Sequence, residues 1–307
     1  MRKTSFVLVV GLIIGFGLIA AASAHAESVR TVTDGLGREV EVKGVPERII
    51  TTLPATTEIA FDLGLDEKIV GVYSDTEYLS YVPKIQAMAD EKEKIGSFNL
   101  SYEKIASMDP DLVIAGTAQR DDISKIKNVV GATVYVAGKK NIESVYESIL
   151  EIGYLTGTSD RAQKIVGEMV WKRFRLEAAV ETLNERKKVF YTISPEMFTL
   201  GDNTFVGEAL QLAGLDNVFG EISGYKQVST EEIVAKNPEL ILGTKGMGLT
   251  VKELKDKPGI EGTKAVKEDN VLFLSNVEAS MLNQPGTKII EGAIKLFEKI
   301  YDTEVSF

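Results

Sequence analysis

Two glutamates in matching settings are the residues of this sequence best placed to act on a partner. Glu103 stands two residues after Ser101, and Glu231 two residues after Ser229. Each serine reads as the N-cap of a short helix, and Ser229-x-x-Glu232 has capping-box spacing. A carboxylate in a first helical turn gains about 0.3–1 kcal/mol from the helix dipole, which alone justifies a glutamate. It does not explain why both copies keep it while Tyr102/Thr230 and Lys104/Glu232 differ. Two exposed carboxylates related by pseudo-symmetry suit a symmetric partner with paired arginines.

Other chemistries lack their residues. There is no cysteine, which excludes disulfides, thiolate catalysis, cysteine-ligated metals and a lipidated N-terminal cysteine. The single histidine, His25, lies in an apolar leader, so the rest of the chain has no imidazole for metal ligation or proton transfer. Neither a G-x-x-x-x-G-K-[ST] phosphate loop nor a G-x-S-x-G elbow occurs. Asp121-Asp122 is an acidic pair available to a carboxylate enzyme, but adjacent surface aspartates are ordinarily solvated. A binding protein is therefore expected rather than an enzyme, with a sensory or adhesion module as a further class.

The two glutamates belong to a repeated segment. Gly96–Ala115 reappears as Gly224–Gly243 at an offset of 128, with Gly, Ser, Glu, Ile, Pro and Leu kept at six positions. Two copies half a chain apart imply two similar lobes rather than a solenoid, which needs three or more units. A second correspondence, Glu58…Leu63-Gly-Leu-Asp66 with Glu208…Ala213-Gly-Leu-Asp216, has an offset of 150. The first half therefore carries about 22 extra residues between Asp66 and Gly96, in the tyrosine-rich stretch Tyr73–Lys94. An insertion on one lobe only reads as a ligand-facing loop.

The elements that position these residues alternate strand with helix. Residues 29–45 read as a hairpin, and strands follow at Arg48–Leu53, Lys68–Val72, Leu112–Ala115, Thr133–Val136 and Lys188–Ile193. Helices are expected at Thr57–Leu63, Ile123–Val130, Ile142–Leu155 and Phe205–Ala213. The fold class is α/β, two parallel-sheet lobes joined by a single long α-helix. That helix spans 159–187, with Ala162, Val166, Met169, Leu176, Val180 and Leu183 on one stripe. The expected division is a signal peptide at 1–26, an N-terminal lobe at 27–158, the connector, and a C-terminal lobe at 188–307. The leader has a basic start at Arg2-Lys3, an apolar run and the small-x-small sites Ala22-Ser-Ala24 and Ala24-His-Ala26, so the protein is expected to be exported. Without Arg2 and Lys3, 33 basic residues face 45 acidic ones, a net charge of −12 that repels nucleic acid.

With these residues in view, the sequence resembles the periplasmic substrate-binding proteins of ABC importers for cobalamin, ferric siderophores and haem, the helical-backbone class III. The resemblance runs through nearly all of residues 29–302. It is carried by Thr33-Asp-Gly-Leu-Gly-Arg-Glu-Val, Pro46-Glu-Arg-Ile-Ile, Pro54-Ala-Thr-Thr-Glu-Ile and Met108-Asp-Pro-Asp-Leu-Val-Ile in the first half. In the second half it rests on Gly207-Glu-Ala-Leu-Gln-Leu-Ala-Gly-Leu-Asp-Asn-Val-Phe, Gln227-Val-Ser-Thr-Glu-Glu-Ile and Pro285-Gly-Thr-Lys-Ile-Ile-Glu-Gly. It implies limited hinge motion, a metal chelate held in the cleft, and no intrinsic cofactor. It also implies that Glu103 and Glu231 meet arginines of a membrane permease dimer that works with an ATPase, the receptor itself being a monomer.

The ligand-binding candidates are Tyr73, Tyr78, Tyr81, Phe98, Phe198, Tyr225, Met247 and Met281, with Met197 beside them. Aromatic and thioether side chains fit a large, partly apolar, neutral ligand. Tyr225 stands two residues before Gln227-Val-Ser, where cobalamin binders often place a tryptophan, so a corrinoid is the first expectation and a ferric siderophore or haem the alternative. The family's Tyr-Pro-Pro is only loosely echoed by Tyr81-Val-Pro83, and Ser97 occupies the neighbourhood of a second cleft tryptophan.

Overall fold

The computed structural model describes residues 28–97, 99–138, 140–245 and 248–306. The expected signal peptide, Phe98 and Met247 lie outside the described residues.

The described residues open with a hairpin, β1 (Val29–Thr33) and β2 (Glu39–Lys43), whose alternation buries Val40 and Val42. The first lobe then runs β3 (Ile49–Thr51), α1 (Pro54–Asp62), β4 (Ile69–Val72), α2 (Pro83–Asp90), β5 (Glu93–Lys94), α3 (Tyr102–Ser107), β6 (Leu112–Gly116), α4 (Arg120–Lys125), β7 (Thr133–Ala137) and α5 (Ile142–Thr156). Its sheet is wholly parallel, in the order β5-β4-β3-β6-β7. Ile49, Val113 and Ile114 are fully buried, as strands covered on both faces require.

Helix α6 (Ser159–Val180) leads to the second lobe. That lobe runs β8 (Lys187–Tyr191), β9 (Phe198–Leu200), α7 (Phe205–Leu212), β10 (Leu215–Asn217), β11 (Tyr225–Gln227), α8 (Thr230–Lys236), β12 (Leu240–Thr244), α9 (Val251–Lys255), α10 (Lys264–Lys267), β13 (Val271–Leu274), α11 (Asn276–Asn283) and α12 (Ile289–Tyr301). Its sheet is also parallel, ordered β10-β8-β12-β13. This is the order β4-β3-β6-β7 of the first lobe, so the sequence repeat marks a duplicated α/β unit. The match extends to the backbone: Asp109 and Asn237, equivalent in the repeat, both sit at φ 45°. Asp111 and Glu239 make the same tie, their carboxylates accepting the N–H of Arg48 (3.1 Å) and Lys188 (3.1 Å) at the start of each lobe's first sheet strand.

Two expectations change. The connecting helix ends at Val180, seven residues before the expected 187, because Thr182 donates its hydroxyl back to the Ala179 carbonyl (2.7 Å) and Leu183 turns down onto Gly214. Its 22 residues still span about 33 Å. The buried stripe is Ala162, Met169, Leu176 and Val180, as the periodicity required. The Tyr73–Lys94 insertion, expected as a ligand loop, folds as a 3-10 turn (Thr76–Leu79), α2 and the edge strand β5, with the turn lying against α1 and against α11 of the other lobe.

A single apolar cluster runs from Ile59 and Phe61 in α1 through Met169 and Leu176 in α6 to Phe297 in α12. Smaller clusters fill the far side of each sheet, around Val113 in the first lobe and Ile241 in the second. A core shared by lobes and connector limits how far the lobes can swing, since close-packed interiors resist gradual deformation.

Candidate functional site

A cavity of about 460 Å³ opens between the lobes and is lined from both. It lies near the carboxyl ends of β6 and β7, where open parallel sheets place their ligand crevices.

The first lobe builds its floor from a tight turn. Asp34 is buried, and its carboxylate accepts the N–H groups of Leu36 (3.0 Å) and Arg38 (3.0 Å) and the Arg38 guanidinium (3.0 Å from Nε). Gly35 is pinned to the sheet by its N–H to the Val136 carbonyl (2.8 Å). A Cβ on Gly35 would lie 2.6 Å from Gly138, so only glycine allows the hairpin to close onto β7 here. Helix α5 supplies the wall, with Ser144, Glu147, Ser148 and Glu151 on one stripe at helical spacing. Ser148 accepts the Gly138 N–H (2.8 Å), and Glu151 accepts the Tyr135 hydroxyl (2.6 Å). Burial raises the Glu151 carboxyl above the ordinary glutamate value, with the Tyr135 bond opposing that shift.

The second lobe contributes Asn203, Thr204, Phe205 and Tyr225. Thr204 caps α7 by accepting the Gly207 N–H (3.0 Å). Asn203 accepts the Gly224 N–H (2.9 Å), which fixes the start of β11. β11 pairs antiparallel with β9, Tyr225 opposite Leu200 and Gln227 opposite Phe198. Residues i and i+2 and their direct partners share a face, so Tyr225 and Phe198 stand on the same side of this ribbon. Both rings are exposed, 48% for Tyr225 and 39% for Phe198. The Tyr225 phenol is pushed up to about 12 by desolvation, with Tyr191 nearby adding to it.

Tyr225 lines the cavity, whereas Phe198 is not among its lining residues, and the other expected contacts also go elsewhere. Tyr73 is buried just past β4 and Tyr78 is exposed on the insertion's turn, neither among the cavity-lining residues. Tyr81 donates its hydroxyl to the buried Glu58, which commits that side chain to the lobe interface. Met281 is 2% exposed and packs against Gly292 between α11 and α12, and Met197 is buried with Phe190 and Phe219. These two are core residues, because the apolar faces they occupy are closed by neighbouring elements. The cavity's hydroxyl and carboxylate lining was missed, although the Ser144/Ser148 and Glu147/Glu151 pairs form an i, i+4 polar stripe.

The paired glutamates occupy equivalent places. Glu103 is in the first turn of α3 and Glu231 in the first turn of α8, and both are exposed. Helices that precede parallel strands run opposite to them, so both first turns lie toward the carboxyl ends of β6 and β12. Ser101 accepts the Lys104 N–H (3.4 Å) and Ser229 accepts the Glu232 N–H (3.2 Å), as the caps required. Among the described residues neither glutamate enters a salt bridge. The Glu231 backbone N–H, then the Ser229 hydroxyl, hold its carboxyl below the ordinary glutamate value.

The family model for "Periplasmic binding protein" matches residues 49–277, across both sheets and the connector. The chain belongs to the periplasmic binding protein family. Among curated relatives of this periplasmic binding protein, the uncharacterized ABC transporter substrate-binding lipoprotein YvrC of Bacillus subtilis is 31% identical over 279 residues, 88% of this chain and 85% of the relative. A cobalamin-binding protein of Halobacterium salinarum is 25% identical over 299 residues, 92% of this chain and 78% of its own. A solved structure from Staphylococcus epidermidis, described as a possible iron-binding periplasmic solute-binding protein, superposes with a TM-score of 0.72 at 28% identity, covering 83% of this chain and 99% of that one. No helix among the described residues is long and apolar enough to cross a membrane.

Proposed function

We propose that this periplasmic binding protein is the exported receptor of an ABC importer, capturing a corrinoid between its lobes and presenting it to a permease dimer through Glu103 and Glu231. The observation that carries this reading is a cavity lined by both lobes of a duplicated fold, with an exposed carboxylate, in no salt bridge among the described residues, at the same place in each lobe. The ligand class follows from the lining. Hydroxyls of Thr33, Ser144 and Thr204 and the carboxylates of Glu147 and Glu151 suit a ligand rich in amide N–H donors, and the Tyr225 and Phe205 rings suit a flat apolar surface. A corrinoid offers both, and the Halobacterium relative is named for binding cobalamin. An anionic ferric chelate would call for basic groups, and Lys140 is the one cation among the described lining residues.

The competing reading is a ferric chelate or haem, favoured by the iron-binding description of the Staphylococcus structure. Calorimetric titration of the mature protein separates the two. Cyanocobalamin is expected to bind at one site per chain, with no heat from haem or an anionic ferric siderophore. Absence of heat with cyanocobalamin at high micromolar concentration sinks the corrinoid reading.

A further inference from the structure

The second sequence correspondence, Glu58 with Glu208, lies outside the cavity lining, yet the structure gives both glutamates the same task. Each stands on the first helix of its lobe, Glu58 on α1 and Glu208 on α7. Glu58 reaches into the second lobe, where its Oε1 accepts the Lys288 N–H (3.1 Å) and shares the Thr287 hydroxyl with Asp62 Oδ2 (2.5 Å), also on α1. Its Oε2 accepts the Tyr81 hydroxyl from the insertion. Glu208 reaches the other way, its Oε2 accepting the Ile142 N–H (2.7 Å) in the first lobe. Lys288 is the N-cap of α12 and Ile142 the first residue of α5, the last helix of each lobe. Each carboxylate thus satisfies an N–H left without a partner at the start of a helix in the opposite lobe, where the helix dipole also favours negative charge.

The two contacts flank the connector, which reinforces each. Arg173 of α6 lies 3.4 Å from Glu208 and 3.6 Å from Glu143 of the first lobe. The adjacent Lys172 pairs with Glu291 of α12 (3.4 Å), while Lys288 lies 3.7 Å from Asp62 of α1. Close approach is built into the backbone at Gly286, where a Cβ would lie 2.5 Å from Glu58 Oε2. A single connecting helix permits rocking and twisting, whereas two reciprocal contacts on its flanks resist both.

We propose that Glu58 and Glu208 are reciprocal latches, positioning residues that fix the separation of the lobes and with it the cleft width and the spacing of α3 from α8. The proposal stands whichever chelate the cleft takes. The absence of cysteine makes it directly measurable. Ser107→Cys and Ala235→Cys, exposed and equivalent in the repeat, carry one spin label each on α3 and α8. Pulsed electron paramagnetic resonance on the ligand-free mature protein is expected to give a single narrow distance distribution. In the Glu58→Ala/Glu208→Ala background it should broaden at least about twofold. Glu58→Gln/Glu208→Gln, which keeps an oxygen acceptor at each site, should restore the narrow distribution. A folded double-alanine protein with an unchanged distribution overturns the proposal, and so does a glutamine variant as broad as the alanine one. Should the double-alanine protein fail to fold, Glu208→Ala alone decides the question, since that carboxylate is partly exposed: broadening supports the latch and an unchanged distribution overturns it.

Discussion

Duplication placed four glutamates in this molecule as two matched pairs, and burial has divided them. Glu58 is fully buried beneath Tyr81, Thr287 and Lys288, and Glu208 is partly buried against Ile142 and Arg173. Glu103 and Glu231 stand exposed in first helical turns without an ion pair among the described residues. The inward pair meets this chain's own backbone. The outward pair keeps its charge available. A repeated glutamate therefore has no single meaning, and what faces it decides between holding the lobes and offering a contact.

Removing the inward pair should have the largest effect on stability. Glu58→Ala strands the Tyr81 hydroxyl and the Lys288 N–H, while Thr287 keeps Asp62 as a partner, and at about 1–3 kcal/mol for a stranded buried group we expect a loss of about 3 kcal/mol in urea unfolding. A loss below 1 kcal/mol would mean that water replaces the carboxylate. Next in size is the cleft: Tyr225→Ala should weaken corrinoid affinity about tenfold by calorimetry while leaving stability within about 0.5 kcal/mol. Glu208→Ala, on the more open flank, should cost about 1 kcal/mol, and a cost equal to that of Glu58→Ala would erase the difference between the flanks.

The smallest effect is a pH dependence. Burial raises the Glu58 carboxyl above 4.5, partly countered by the Thr287 and Tyr81 hydrogen bonds, so the folded state holds that proton more tightly than the unfolded one. Its contribution to stability is therefore greatest at low pH and declines as pH rises from 4.5 through the raised folded value. The stability of the wild type minus that of Glu58→Gln should fall over this window. A flat or rising difference would mean that the hydrogen bonds outweigh burial.

Much of this was legible in the chain because duplication writes itself twice. The repeat located α3, α8 and their caps, and the stripe from Ala162 to Val180 located the connector. Orientation was not legible where two elements far apart in sequence meet. Nothing near Tyr81 or Glu58 announces that Thr287, 229 residues beyond Glu58, completes their network. Met281 and Tyr225 are both apolar-faced residues near element ends, yet one is sealed by Gly292 and the other left open by a two-stranded ribbon. The cleft floor depends on the contact of Gly35 with Gly138, and no local pattern encodes that approach.

The division between inward and outward pairs is tested most directly with the permease and ATPase reconstituted in proteoliposomes, reading ATPase stimulation by ligand-loaded receptor alongside ligand affinity. Glu103→Lys/Glu231→Lys is expected to abolish stimulation with affinity unchanged, because those carboxylates are exposed and are not among the described cavity-lining residues. Full stimulation by that variant, or a matching loss of ligand affinity, would contradict the account.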